Sequence, residues 1–164
     1  MIIALGNDHA GFSLKSDVLQ YLKKAKVEVI DCGSYDANPV DFPDIAKKVC
    51  QLVLEGKADR GLMVCGTGVG ASIAANKIPG IRAAVCHDYH SAHQCVEHDD
   101  VNVICLGAQI VGSWLAEDII KAYLEAQFST EKHFQRRVQK LKEMEYQYAL
   151  ELINKNNSVI DKKI

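Results

Sequence analysis

Two short segments hold most of the side chains that could do chemistry. In Cys65-Gly66-Thr67-Gly68-Val69-Gly70 a thiol precedes a run with glycine at every second position. Those glycines let backbone amides converge at the start of a helix expected near Gly70, a geometry suited to holding an anion. A thiol facing such amides is one whose anion the backbone supports, so Cys65 is a candidate nucleophile or general base. The plainer reading is a strand-end cysteine packed as a small hydrophobe. The second segment, Gly6-Asn7-Asp8-His9-Ala10-Gly11, supplies a carboxylate and an imidazole. No Gly-Lys-Ser/Thr follows the glycine loop, so it is not a P-loop. It does satisfy the dinucleotide pattern as Gly66-x-Gly68-x-x-Ala71, with Asp88 22 residues after Gly66. A nicotinamide-binding Rossmann protein therefore stands as an alternative of a different class, although the motif follows the third strand instead of the first.

Two further groups carry weaker signals. Between Cys86 and Asp100 lie four histidines, and on a helix His90 and His93 share a face, as do His93 and Glu97. Neither H-E-x-x-H nor a closed four-ligand spacing appears, so no metal site is assigned. His98, at the helix end before the fifth strand, is expected near the same sheet edge as Cys65, where it can act as an acid or base near neutral pH. Residues 131–142 hold Lys132, Arg136, Arg137, Lys140 and Lys142 against Glu131. Cations at a helix start oppose the macrodipole unless an anion lies there, so Lys132, His133 and Arg136 read either as a solvated face or as an anion site.

The elements that position these groups alternate along the chain. Strands are expected at 2–5, 27–30, 61–64, 81–85 and 101–106, with helices near 12–24, 43–56, 70–77, 89–98 and 112–127. Strands apolar throughout imply burial on both faces, as βαβ crossovers provide, so the fold class is α/β, a doubly wound Rossmann-like five-stranded parallel sheet of order 2-1-3-4-5. That order places the switch point between the first and third strands, which makes the two chemical loops neighbours. A long charged helix follows, about 131–152. Its narrow apolar stripe of Val138, Leu141, Tyr148 and Leu152 suits docking on a partner subunit as well as on its own domain. Residues 154–164 are polar and expected to fray.

Composition bounds the function. Of 164 residues 48% are hydrophobic and 24% charged, and the formal charge is −2, which suits one soluble domain and gives no basic excess for nucleic acid or a membrane surface. No apolar run approaches the ~18 residues of a membrane span. The opening MIIALGNDHAGF lacks the basic start of a secretory signal, so a cytoplasmic location is expected. Six cysteines without any C-x-x-C are expected as free thiols.

Taken together these motifs resemble the ribose-5-phosphate isomerase B family, relatives of the galactose-6-phosphate isomerase subunits. The matching segments are Asn7-Asp8-His9-Ala10-Gly11, Val29-Ile30-Asp31, Asp41-Phe42-Pro43, residues 65–70 with 72–77, Gly80-Ile81-Arg82-Ala83, and more loosely residues 98–103 and 132–136. The resemblance implies an isomerase domain over residues 1–150 with a polar tail at 151–164. It implies aldose-ketose isomerisation of a pentose 5-phosphate through a cis-enediol(ate), in the pentose phosphate pathway, without metal or cofactor. Cys65 would be the base, His98 would open the sugar ring, and Thr67 with the amides of Gly66, Gly68, Val69 and Gly70 would hold the oxyanion. Asp8 would orient hydroxyls, while His9, Lys132 and Arg136 would take the phosphate. The implied assembly is a homodimer with shared active sites, pairs of which could form a tetramer. Asp99 stands where the family commonly has Asn, Gln109 where it has Arg, and Lys132 replaces an Arg. These three substrate-binding positions keep another sugar phosphate, such as allose or galactose 6-phosphate, as an alternative. A non-enzymatic sugar-phosphate sensor is the third reading.

Overall fold

The computed structural model describes residues 1–160, with side chains through 155. It divides into two compact units, 1–128 and 129–164. The first contains β1 (Ile2–Asn7), α1 (Phe12–Lys24), β2 (Glu28–Asp31), α2 (Phe42–Leu54), β3 (Arg60–Cys65), α3 (Val69–Ala75), β4 (Ala83–Val85), α4 (Tyr89–Asp99), β5 (Val103–Gly107) and α5 (Ser113–Glu125). The second contains α6 (Lys132–Ile160).

All strands are parallel, and their order is β2-β1-β3-β5-β4. The last two places are therefore the reverse of the expected 2-1-3-4-5. Burial explains the exchange: every residue of β5 is buried, so it takes the place beside β3, whereas the three half-buried residues of β4 make a short edge strand. Right-handed crossovers then fix the helices. A connection that turns back along the sheet must cross on the opposite face, so α4 joins α1 instead of α2 and α3. One core layer accordingly gathers Leu14, Val18 and Leu22 of α1 with Ala92 and Val96 of α4 and Ile119, Ile120 and Tyr123 of α5. The other gathers Ile45 and Val49 of α2 with Ala71 and Ala75 of α3.

The edges of unit 1 are pinned by long-range polar contacts. Arg60, at the start of β3, donates to the carbonyls of Tyr123 and Ala126, and the Tyr123 hydroxyl donates to Gly61 O at 3.2 Å. The end of α5 is thereby held at the amino edge of the sheet.

The helix α6 continues to Ile160, past the expected end near 152. No Gly or Pro occurs after residue 131, and the Gln139–Glu143 and Gln147–Glu151 pairs, at 3.1 and 3.3 Å, support successive turns. The expected frayed tail is thus helical as far as 160, and residues 161–164 lie outside the described residues. Leu141, Met144, Tyr148 and Leu152 are exposed along it. Among the described residues no helix is long and apolar enough to cross a membrane.

Candidate active site

The carboxyl edge between β1 and β3 holds the two loops. The Asp8 amide donates to Val64 O at 3.2 Å, which ties the first loop to the neighbouring strand. Asp8 itself is buried, and its Oδ1 accepts the Gly11 amide at 2.8 Å, fixing the turn into α1. His9, next along, is exposed, and its Nδ1 accepts the Val40 amide at 3.2 Å.

Cys65 ends β3 and is 5% exposed. The Gly68 amide donates to its Sγ at 3.0 Å, a donor aimed at the atom that bears the charge once the thiol has given up its proton. Gly68 caps α3 with φ +80°, and a Cβ there would lie 3.1 Å from Cys105 O, so the amide's aim depends on glycine. Thr67 is exposed above the loop, and its Oγ1 accepts the Val69 amide at 3.4 Å. Gln109 closes the far side: its backbone N–H donates to Gly66 O at 3.0 Å, and its side-chain Oε1 would lie 3.3 Å from a Cβ on Gly66. Asp8, His9, Cys65, Thr67, the glycine loop and Gln109 therefore share one edge of one unit.

The surroundings of the other cysteines shift their thiols. Burial pushes the Cys50 thiol up to about 11 and raises Cys105 well above the ordinary thiol range. Burial and the Asp31 carboxylate raise Cys32. Cys86 and Cys95 share a hydrogen bond that lowers the first and raises the second.

A family model described as Ribose/Galactose Isomerase matches residues 3–141. Ribose-5-phosphate isomerase B of Escherichia coli (strain K12) is 46% identical over 134 residues, 82% of this chain and 90% of that one. The chain belongs to the ribose/galactose isomerase family. Solved members share its fold. Clostridium thermocellum ribose-5-phosphate isomerase B matches with TM-score 0.87 and 46% identity, over 90% of this chain and 99% of that one. Mycoplasma genitalium ribose-5-phosphate isomerase B with bound ribulose-5-phosphate matches with TM-score 0.82 and 35% identity, over 88% and 96%. Membership in an isomerase family answers the nicotinamide alternative, and Gly66, Gly68 and Ala71 fall in the loop after Cys65 and the first turns of α3.

The expectation that His98 lies at the carboxyl edge is corrected by the topology. In a parallel sheet the helix between two strands returns the chain to the amino edge, and α4 ends there. Arg82, just before β4, donates through Nε to the carbonyls of Asp99 and Asp100 at 3.1 and 2.8 Å, and Asn102 O accepts the Gly61 amide at 2.8 Å. The register pairs Gly61 with Val103 and Cys65 with Gly107, and those four steps of about 3.3 Å put roughly 13 Å of sheet between the edges. His98 and Asp99 are thus separated from the Cys65 of their own chain. His98 Nε2 lies 3.8 Å from Glu97 Oε2, and His93 Nε2 lies 3.6 Å from the same oxygen. Among the described residues no three His, Cys, Asp or Glu side chains gather as a metal would require. Lys132 and Arg136 stand exposed, four apart on one face of α6, in the second unit.

Sequence reasoning missed the Val40 amide and the network behind it. One signal was available: Lys15 falls three and seven residues before Val18 and Leu22, on the apolar stripe of α1, and a lysine there requires partners.

Proposed function

We propose that the protein interconverts ribose 5-phosphate and ribulose 5-phosphate. The observation that carries this reading is the Cys65 thiol under the Gly68 amide, at one sheet edge with Asp8 and His9, in a member of an isomerase family. With the open-chain aldose bound, Cys65 as thiolate takes the proton from C2 and the electron pair forms the C1–C2 double bond of a cis-enediolate. The same proton returns to C1 while the C2 hydroxyl gives up its proton and the C1 oxygen gains one, so that C2 becomes the ketone carbonyl and C1 a hydroxymethyl group. Thr67 and the amides of Gly66 and Gly70 face the oxygen that gains charge, the kind of preorganised stabilisation that dominates many such barriers, while the Gly68 amide is engaged by Cys65 Sγ and the Val69 amide by Thr67 Oγ1. Asp8 orients hydroxyls, and His9, Lys132 and Arg136 take the phosphate. The mechanism draws on no metal or cofactor.

His98 opens the furanose ring, and since about 13 Å of sheet separates the two edges, it serves the Cys65 of a second copy. The working assembly is therefore a homodimer with shared sites.

One observation favours a second reading. Gln109 places a neutral amide beside Gly66 where the resemblance expects a cation, which keeps a hexose 6-phosphate such as allose or galactose 6-phosphate as the alternative substrate. Incubation with each phosphate in the presence of a chelator and without nicotinamide, following ketose formation, tests the proposal. Ribose 5-phosphate should be turned over fastest; preference for a hexose phosphate would favour the second reading, and binding without turnover would leave a sensor.

A further inference from the structure

His9 reaches the site from an exposed turn, and an imidazole ligand is useful to a phosphate only when a ring N–H faces it. The Val40 amide on Nδ1 decides which nitrogen carries that hydrogen. With Nδ1 accepting, the neutral ring holds its proton on Nε2, the nitrogen on the far side from Val40. Val40, however, lies in the long connection between β2 and α2, next to Pro39 and with exposed residues at 35–39. Something must hold that loop in place.

Lys15 is a buried lysine, 5% exposed, reaching that loop from α1. Its Nζ donates to Ser34 O at 2.8 Å, pairs with Asp31 Oδ2 at 2.9 Å and lies 4.5 Å from the Tyr35 ring centre. Tyr35 returns a hydrogen bond to Asp31 O at 3.0 Å. From Ser34 the contacts run toward Val40: Ser34 Oγ donates to Asp36 O at 2.7 Å, and Asp36 Oδ1 accepts the Asn38 amide at 2.9 Å. On the other side the Ser34 amide donates to Asn7 O at 2.8 Å, next to Asp8 and His9. Gly33 allows this approach, because a Cβ there would lie 2.1 Å from Asn7 Oδ1.

We propose that Lys15 is a positioning residue: by clamping Ser34, Asp31 and Tyr35 it holds the 33–41 loop so that the Val40 amide fixes His9 as its Nε2–H tautomer. The value of that tautomer for binding rests on the reading of His9 as a phosphate ligand, whereas the tautomer itself does not. An ammonium at this place does what a neutral side chain of similar length cannot, since it satisfies a carbonyl, a carboxylate and a ring face together.

The test compares wild type with Lys15→Met, using protein labelled with nitrogen-15 in histidine and the His9 signals identified from a His9→Gln variant. In wild type the one- and two-bond proton–nitrogen pattern should show His9 with its proton on Nε2. In Lys15→Met it should become a mixture of tautomers, and the KM for ribose 5-phosphate should rise about three- to tenfold with kcat within about twofold, the scale of one hydrogen bond lost. Lys15→Arg should restore part of both. A folded Lys15→Met with the wild-type His9 pattern overturns the proposal. A changed pattern with unchanged KM and unchanged affinity for inorganic phosphate upholds the positioning role and removes His9 from the phosphate site. Should Lys15→Met fail to fold, Tyr35→Ala is read instead, because Tyr35 is 72% exposed and its loss leaves the core intact. It should shift the His9 pattern in the same direction, and an unchanged pattern there also overturns the proposal.

Discussion

The Cys65 thiol is distinguished by what it touches. It ends a central strand and its sulfur accepts the Gly68 amide, while Cys50 and Cys105, in the same apolar cluster, are pushed up by burial. Removing the base should cost about 10² to 10⁴ in kcat, so Cys65→Ala should be nearly inactive while circular dichroism and sugar-phosphate binding stay close to wild type. Turnover within tenfold of wild type would end the assignment. His98 is tested by substrate form. A linear four-carbon aldose phosphate has no ring to open, so His98→Asn should slow turnover of ribose 5-phosphate and spare the tetrose. Equal losses on both would contradict a ring-opening role. Asp99→Asn, which supplies the donor that the resemblance expects there, should improve turnover of ribose 5-phosphate. A decline would indicate that Asp99 suits a different sugar.

At the scale of elements, what was legible in the sequence is what depends on local pattern. Apolar runs bounded by polar turns placed every strand and helix of unit 1 within a few residues, and the two chemical loops at the switch point followed. The order of β4 and β5 did not follow, because it depends on which strand the helices of both faces bury more fully. The place of His98 has a separate cause: a parallel crossover returns the chain to the amino edge, and spacing alone does not say so. The end of α4 is held there by Arg82, whose Nη2 lies 2.6 Å from Asp100 Oδ2 in addition to the two carbonyls it bonds. Arg82→Met should cost about 1–2 kcal/mol, a charge-assisted contact discounted for its partial exposure, and lower Tm by about 2–8 °C. Because His98 rides on the same helix end, kcat for ribose 5-phosphate should fall more than kcat for the linear tetrose phosphate. A loss of stability with identical proportional losses on the two substrates would separate α4 from ring opening.

For the molecule as a whole, the two groups proposed as catalytic cannot meet within one chain, and this makes the assembly testable by activity. Cys65 sits at the carboxyl edge and His98 at the amino edge of a rigid sheet whose strands β3 and β5 are paired along their length. No rotamer of His98 crosses roughly 13 Å of packed sheet. If the site is shared, Cys65→Ala and His98→Asn each ruin both sites of their own homodimer, but in different halves. Mixed under conditions that exchange subunits, one site of each mixed dimer combines an intact Cys65 from one chain with an intact His98 from the other, and the second site has neither. Random pairing makes about half the dimers mixed, so roughly a quarter of wild-type activity should return. Replacing His98→Asn by Arg136→Ala asks the same question of the phosphate grip. Exchange demonstrated by mass without any return of activity in the first pair would mean that His98 does not act with Cys65 across the interface. Recovery in the first pair and none in the second would assign Arg136 to the site of its own Cys65.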